Sequence, residues 1–395
     1  MLSFFVKESG KMRYNNFKDL KISALGFGTM RLPKGSDGKI DYDAAKEMVS
    51  AAFDGGVNYF DTAYRYHEGE SENFCGEALS VYPRESFFLA DKLPTWLCKT
   101  SEDAETIMKE QLQKCKTDYF DFYLLHNVDE EGWPNIEKLD LVHFMEKVKT
   151  QGKARHIGLS VHCQPALLEE VFSKYGHILE FVQIQLNYMD WDYINAKELY
   201  HIARKYEKPV IVMEPLRGGM LAELPSEEAY SILSNATKAS GQAPCSKASY
   251  GLRFVSQLNG VLCTLSGMSN LEQMKENINT FSGPMLTDVE LKAIPEAASK
   301  LRSDIMIPCT GCDYCYECPS EIKISKIFKL YNDMAARNFV FLWDSLDDLY
   351  GKLGANAKDC IDCGSCETHC PQKIDIRKRL RDIDDKFTSI ISKGK

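Results

Sequence analysis

Short apolar runs recur roughly every 30 residues along the first 280 positions, and each is followed by a stretch with apolar residues three and four apart. The runs read as strands at ISALGFG (22–28), VNYFDTA (57–63), FFLADKL (87–93), FDFYLLH (120–126), ARHIGLS (154–160), FVQIQLNY (181–188), PVIVMEP (209–215) and GVLCTLSG (260–267). Amphipathic helices are expected between them at 43–54, 102–114, 137–149, 164–175, 192–206 and 270–281. Eight buried strands alternating with helices fit a (β/α)8 TIM barrel, typically of about 250 residues, better than a doubly wound sheet. A dinucleotide-binding sheet would also show G-x-G-x-x-G after its first strand, whereas Gly26-Phe27-Gly28-Thr29 lacks the third glycine. Met12 to Leu20 is expected to form a hairpin capping the bottom of the barrel.

Composition narrows the class. The 395 residues suggest two or three domains, and 44% apolar with 27% charged residues is ordinary globular usage. With 48 Lys and Arg against 57 Asp and Glu, the net charge of −9 offers no field for nucleic acid or anionic lipid. No run approaches the roughly 18 apolar residues of a membrane span. The opening MLSFFVKESGK has too short an apolar part for a signal peptide, so a cytoplasmic enzyme is expected.

Chemistry in a barrel sits at the C-terminal ends of the strands. The second strand ends in Asp61 with Tyr66 five residues on, the third contains Lys92 and the fourth ends in His126. These four side chains can converge above the barrel. A cation beside a phenol favours phenolate, so Lys92 is expected to bring the Tyr66 pKa down from about 10, with Asp61 holding the ammonium. His126 would hydrogen-bond a substrate oxygen. Together they can polarise a carbonyl and protonate the alkoxide formed when hydride arrives.

On these residues the chain resembles the aldo-keto reductases, NAD(P)H-dependent (β/α)8 oxidoreductases. The matching blocks are FDTAYRY, LADKLP and FYLLH, then IGLS (157–160), VQIQLNY (182–188), VMEPLRGG (212–219) and SGMSNLEQMKEN (266–277). The resemblance implies Tyr66 as general acid, supported by Asp61, Lys92 and His126. It also implies that Ser160 and Gln183 bond the nicotinamide carboxamide, that Met213 replaces a stacking aromatic, and that Leu216 and Gly218 follow the pyrophosphate. Gly267, Gln273 and Asn277 would lie near the adenosine, and Gly28, Thr29, Met30 and Asp61 complete the cofactor set. Val161 stands where the family often has Asn, with His162 next in line. The basic residues that grip a 2′-phosphate are replaced by Gly267 and Gln273, which leans the cofactor toward NADH over NADPH, although Lys275 lies one turn away.

Eight of the 14 cysteines fall in two groups, CTGCDYCYECP (309–319) and CIDCGSCETHCP (360–371). Without a secretory signal they read as metal or cluster ligands rather than disulfides. Cys360, Cys363, Cys366 and Cys370 follow C-x2-C-x2-C-x3-C-P, the spacing of bacterial 4Fe-4S ferredoxins. Cys309, Cys312, Cys315 and Cys318 have x2 before the last cysteine. Four-cysteine zinc is the competing reading, disfavoured by three cysteines at consecutive x2 spacing and a fourth followed directly by proline. CPSEIKISK (318–326) and CPQKIDIRK (370–378) repeat C-P-x-x-I-x-I-x-K, as in a duplicated unit. By resemblance to two-cluster ferredoxins, one cluster takes Cys309, Cys312, Cys315 and Cys370, and the other Cys360, Cys363, Cys366 and Cys318. Tyr314 and Tyr316 are candidates to shield cluster sulfur, and residues 322–350 read as one or two helices. The expected layout is an N-terminal extension (1–11), the barrel (12–300) and a ferredoxin-like domain of α+β or α-helical type (301–395).

Clusters pass single electrons and nicotinamide passes a hydride, so exchange between them needs a splitter such as flavin, for which the sequence carries no motif. Three readings follow: a reductase of a small aldehyde, ketone or sugar with an appended iron-sulfur domain; an oxidoreductase whose clusters exchange electrons with the barrel through flavin; and a non-enzymatic dinucleotide-binding redox sensor. The tail from Gln372 carries eight basic and four acidic residues, a solvated face or a docking site for an electron-carrier protein. The sequence gives no oligomeric state.

Overall fold

The computed structural model describes residues 11–395 apart from 194, 225, 308, 310, 312–314, 316, 336–338, 340–345, 371–373 and 394–395. The chain divides into two compact units, Met1–Leu216 with Ala248–Leu291, and Arg217–Lys247 with Lys292–Lys395.

The first unit is a closed parallel barrel entered by an antiparallel hairpin. The hairpin pairs β1 (Tyr14–Phe17) with β2 (Leu20–Ser23). The barrel strands are β3 (Leu25–Gly28), β4 (Tyr59–Asp61), β5 (Phe88–Pro94), β6 (Phe120–Val128), β7 (Ala154–Val161), β8 (Phe181–Gln185), β9 (Val210–Met213) and β10 (Val261–Ser266), with β10 closing against both β3 and β9. All eight runs read from the sequence become barrel strands. The first one breaks: its residues 22–23 belong to the hairpin and only Leu25–Gly28 enters the barrel. Turning at Ala24 lets Phe17 and Ile22 pack inward against Tyr59, Phe122, Leu124 and Phe181. Phe122 lies tilted at 5.7 Å from Phe17 and edge-on at 5.2 Å from Phe181, so aromatic rings fill the floor of the barrel. Gly158 is obligatory there, because a Cβ would stand 2.6 Å from the Phe181 carbonyl oxygen and 2.8 Å from its ring.

Helices α1 (Tyr42–Asp54), α2 (Glu70–Leu79) and α3 (Ser101–Lys114) lie between successive strands. Asp41 caps α1 by accepting from the Ala44 amide, and Thr100 with Asp103 forms a capping box on α3. Helix α2 has no counterpart among the helices expected from the sequence. The helix expected at 137–149 is two, Trp133–Lys138 and Leu141–Thr150, parted where Asp140 takes φ 55°. Helices Glu227–Ala239 and Lys247–Ser256 were likewise not anticipated.

The second unit holds the cysteine groups. Among the described residues it has helices and turns and no strand. Both copies of the repeat behave alike: Ile322 and Ile324, and Ile374 and Ile376, are buried in one core with Phe328, Leu380 and Phe387. A helix starts at the second isoleucine of each copy, Ile324–Ala335 and Ile376–Lys393. The 322–350 region also contains Leu346–Gly351. Among the described residues no helix is long and apolar enough to cross a membrane.

Candidate active site and cysteine pocket

Strand register sets the first cluster of polar groups. Asp61 ends β4 opposite Ala90 of β5, and Pro94 of β5 pairs with His126 of β6, so Asp61, Lys92 and His126 stand at one mouth of the barrel. Lys92 is fully buried, and its Nζ donates to Asp61 Oδ1 at 2.6 Å and to the Thr62 carbonyl at 2.7 Å. Its third contact is the Tyr66 hydroxyl at 3.5 Å. Tyr66 opens a short turn, Tyr66–Gly69, in which His67 and Glu68 take φ 51° and 58°. The His126 ring stands 6.3 Å from that of Tyr66 and 5.2 Å from that of Trp96. All four expected side chains are thus brought together.

Their electrostatics differ from the expectation at one point. Burial pushes the Tyr66 pKa up, and the Lys92 charge offsets this only in part, with Asp61 adding to the rise. The phenol therefore stays protonated at neutral pH, against the lowering predicted from a neighbouring ammonium alone. Burial pulls Lys92 down, but Asp61 and Tyr66 more than restore it and its net shift is upward, so the ammonium persists. Burial, then the charge on Lys92, holds His126 well below its ordinary value, so the imidazole is neutral. Asp61 Oδ2 and His126 Nδ1 are buried without a protein partner and remain to bond something else.

A buried polar network behind β5 fixes the Lys92 backbone, and the sequence reading missed it. Asp91 Oδ1 accepts from the Lys92 amide at 2.8 Å, and Gln111 of α3 donates to the Lys92 carbonyl at 3.0 Å. Gln111 also donates to Glu72 of α2 and accepts from Tyr123, while Lys114 pairs with Glu72 at 2.9 Å. Thr29 belongs to the same framework. Its hydroxyl donates to the Asp61 carbonyl at 2.9 Å and meets Ser71 Oγ at 2.7 Å, so it braces the end of β4.

The expected cofactor residues fall into three groups. Ser160, Gln183 and Met213 converge: Ser160 Oγ lies 3.7 Å and Gln183 Nε2 3.5 Å from Met213 Sδ, and Gln183 Oε1 is buried and unpartnered. Gly28, Gly267 and Asn277 surround the end of β10. A Cβ on Gly28 would meet the Ser266 carbonyl at 3.5 Å, and Asn277 donates to Ser266 Oγ at 2.9 Å. Gln273 accepts from the Ser269 amide at 2.8 Å. Met30 follows Thr29 in a single turn, Thr29–Arg31. Leu216 packs on Gly251, while Gly218, at φ 68°, belongs to the second unit. Arg31 is a residue the sequence reading passed over: its side chain lies against Gly267, and its guanidinium is 3.8 Å from Glu214 Oε1. Only the adjacency of β3 and β10 brings it there.

In the second unit a small pocket is lined by Cys318, Cys360, Cys363 and Cys366, with Gly364 and Arg377. These four cysteines are the set assigned to one cluster by the crossed arrangement. The Cys366 thiol is pushed up to about 11 by burial, then by Glu367 and by the neighbouring Cys318 and Cys360. Four soft cysteine sulfurs lining one cavity suit an iron-sulfur cluster. The four thiols line this cavity without meeting at a point, and among the described residues no group of Cys, His, Asp or Glu forms a ready metal site. Cys309, Cys315 and Cys370 pack on the same core as this pocket, whereas Cys312, Tyr314 and Tyr316 lie outside the described residues.

Comparison with known proteins agrees with both halves. Residues 24–299 match the Aldo/keto reductase family, and residues 308–374 match a 4Fe-4S dicluster domain. An uncharacterized oxidoreductase of Bacillus subtilis, YqkF, is 28% identical over 300 residues, covering 70% of this chain and 92% of its own. L-galactose dehydrogenase of Arabidopsis thaliana is 28% identical over 280 residues, covering 66% of this chain and 84% of its own. The holo form of an aldo-keto reductase from Bacillus halodurans superimposes with a TM-score of 0.59 at 23% identity, over 73% of this chain and 96% of that one.

Proposed function

The chain belongs to the aldo/keto reductase family, and we propose that it reduces a small aldehyde, ketone or sugar carbonyl with Tyr66 as the proton donor. The observation that carries this reading is the buried Lys92 ammonium, tied to Asp61 at 2.6 Å and reaching the Tyr66 hydroxyl at 3.5 Å. When bound, a reduced nicotinamide supplies the hydride. Ser160 and Gln183 offer donors and acceptors for its carboxamide, and the open Gln183 Oε1 is available for that purpose. NADH is favoured over NADPH, because positions 267 and 273 carry no positive charge and Arg31 is already paired with Glu214.

Neutral His126 orients the carbonyl oxygen toward the phenol. As that oxygen gains charge, Tyr66 passes it the hydroxyl proton, and the nearby ammonium stabilises the phenolate left behind. Asp61 keeps the ammonium charged and aimed. In the second unit, Cys360, Cys363, Cys366 and Cys318 would hold one 4Fe-4S cluster, and Cys309, Cys312, Cys315 and Cys370 the other; such clusters supply one-electron redox capacity.

Tyr66→Phe tests the reading. Removing the proton donor should lower kcat by about 10²- to 10⁴-fold, with nucleotide affinity measured by fluorescence titration unchanged. Activity near wild type across aldehydes, ketones and sugars would overturn it.

A further inference from the structure

The cysteine pocket has one charged residue in its wall whose placement the helix does not explain. Arg377 is the second residue of helix Ile376–Lys393, where a cation opposes the helix dipole. It is nevertheless held firmly. Its Nη2 donates to Glu367 Oε2 at 2.9 Å, its Nη1 donates to the Asp362 carbonyl at 3.3 Å, and its own amide donates to Glu367 Oε1 at 2.9 Å. The guanidinium also lies across Gly364, where a Cβ would come within 3.5 Å of its central carbon. These contacts occupy Nη1 and Nη2 and leave Nε, which is buried and has no hydrogen-bond partner. Asp362 Oδ1 is 3.9 Å from it, beyond hydrogen-bond reach.

The internal repeat sharpens the point. Aligning CPSEIKISK with CPQKIDIRK puts Ser325 where Arg377 stands. Because each copy starts a helix at its second isoleucine, the two positions are structurally equivalent. One half of the duplicated unit therefore carries a guanidinium where the other carries a hydroxyl.

We propose that Arg377 is a tuning residue for the cluster held by Cys318, Cys360, Cys363 and Cys366: its Nε–H donates to cluster or thiolate sulfur and makes that cluster the more readily reduced of the two. This rests on the ligand assignment above. Reduction adds negative charge to an already anionic centre, and a hydrogen bond from a cation favours the reduced form more than the oxidised one, which raises the potential.

The test is an EPR-monitored redox titration of the full-length holoprotein, purified anaerobically, as wild type, Arg377→Ser and Arg381→Ser. Arg381 pairs with Asp362 at 2.7 Å but does not line the pocket, so it controls for loss of surface charge. In Arg377→Ser, with iron and sulfide content unchanged, one of the two midpoints should fall so that the oxidised-to-reduced ratio of that cluster changes about tenfold, equivalent to about 59 mV for one electron. The other midpoint, and both midpoints of Arg381→Ser, should stay in place. Unmoved midpoints in Arg377→Ser, or equal shifts in both clusters, would overturn the inference while leaving the ligand assignment intact. If the serine variant loses iron, Arg377→Gln replaces it in the same titration, and iron loss there too would make the residue a structural one. A wild type without cluster signals or acid-labile sulfide would instead overturn the ligand assignment, and the inference with it.

Discussion

Replacing Lys92 with methionine probes the centre of the site, because it removes the charge and keeps most of the stem volume. Nζ and Asp61 Oδ1 are 2.6 Å apart, with side chains 0% and 3% exposed. At that separation and an effective dielectric of about 20, the attraction is about 6 kcal/mol before desolvation is counted. Losing one partner of such a pair typically costs about 3–5 kcal/mol, since the remaining charge is stranded. In Lys92→Met both Asp61 oxygens would lack a donor, because Oδ2 has none already. Asp61 would then respond by holding a proton. Burial already raises its pKa, and Lys92 is what opposes the rise. An acid with a folded-state pKa above its unfolded value of about 3.9 contributes stability at low pH that is lost as pH climbs through the folded value. The deficit of the variant should therefore be larger at pH 8 than at pH 5.5. Urea unfolding of the full chain, followed by the fluorescence of Trp96, Trp133 and Trp191 in the first unit, measures this directly. Asp61→Asn/Lys92→Met, which removes both charges, should recover most of the loss without restoring activity. A single variant as stable as wild type, or a double variant no better than the single one, would refute the ion pair as the organising contact.

Two further outcomes follow from the same geometry. Because burial raises the Tyr66 pKa above its ordinary value of about 10, carbonyl reduction should keep a constant kcat from neutral pH to at least about 9, while alcohol oxidation, which needs the phenolate, should climb throughout. Stopped-flow rates in both directions check this, and a fall in reduction centred near pH 7 would contradict it. Gly158→Ala should destabilise the first unit by about 1–3 kcal/mol by forcing a methyl into Phe181, and an unchanged urea midpoint would show that the barrel interior can yield.

The barrel and its four polar groups were legible because strand ends point one way: an Asp, a Lys and a His closing successive apolar runs can only meet at one mouth. The two cysteine groups were legible from spacing and duplication, whereas their crossed assignment was implied only by the resemblance to two-cluster ferredoxins; Cys318 does line one pocket with Cys360, Cys363 and Cys366. What the sequence hid were long-range relations and competing energies. Arg31 sits beside Gly267 only because β10 closes on β3. Gln111 is one polar residue on an amphipathic helix until β5 supplies the Lys92 carbonyl. The direction of the Tyr66 shift could not be read from a neighbouring lysine, because desolvation has no signature in a string of letters and here it outweighs the charge.

The aromatic hairpin under the barrel has a kinetic corollary. With Phe17 and Ile22 packed into one end, the described residues leave the polar groups of the site facing the other. A ligand lying deepest at such a site would enter first and leave last, the logic of a cul-de-sac rather than a corridor.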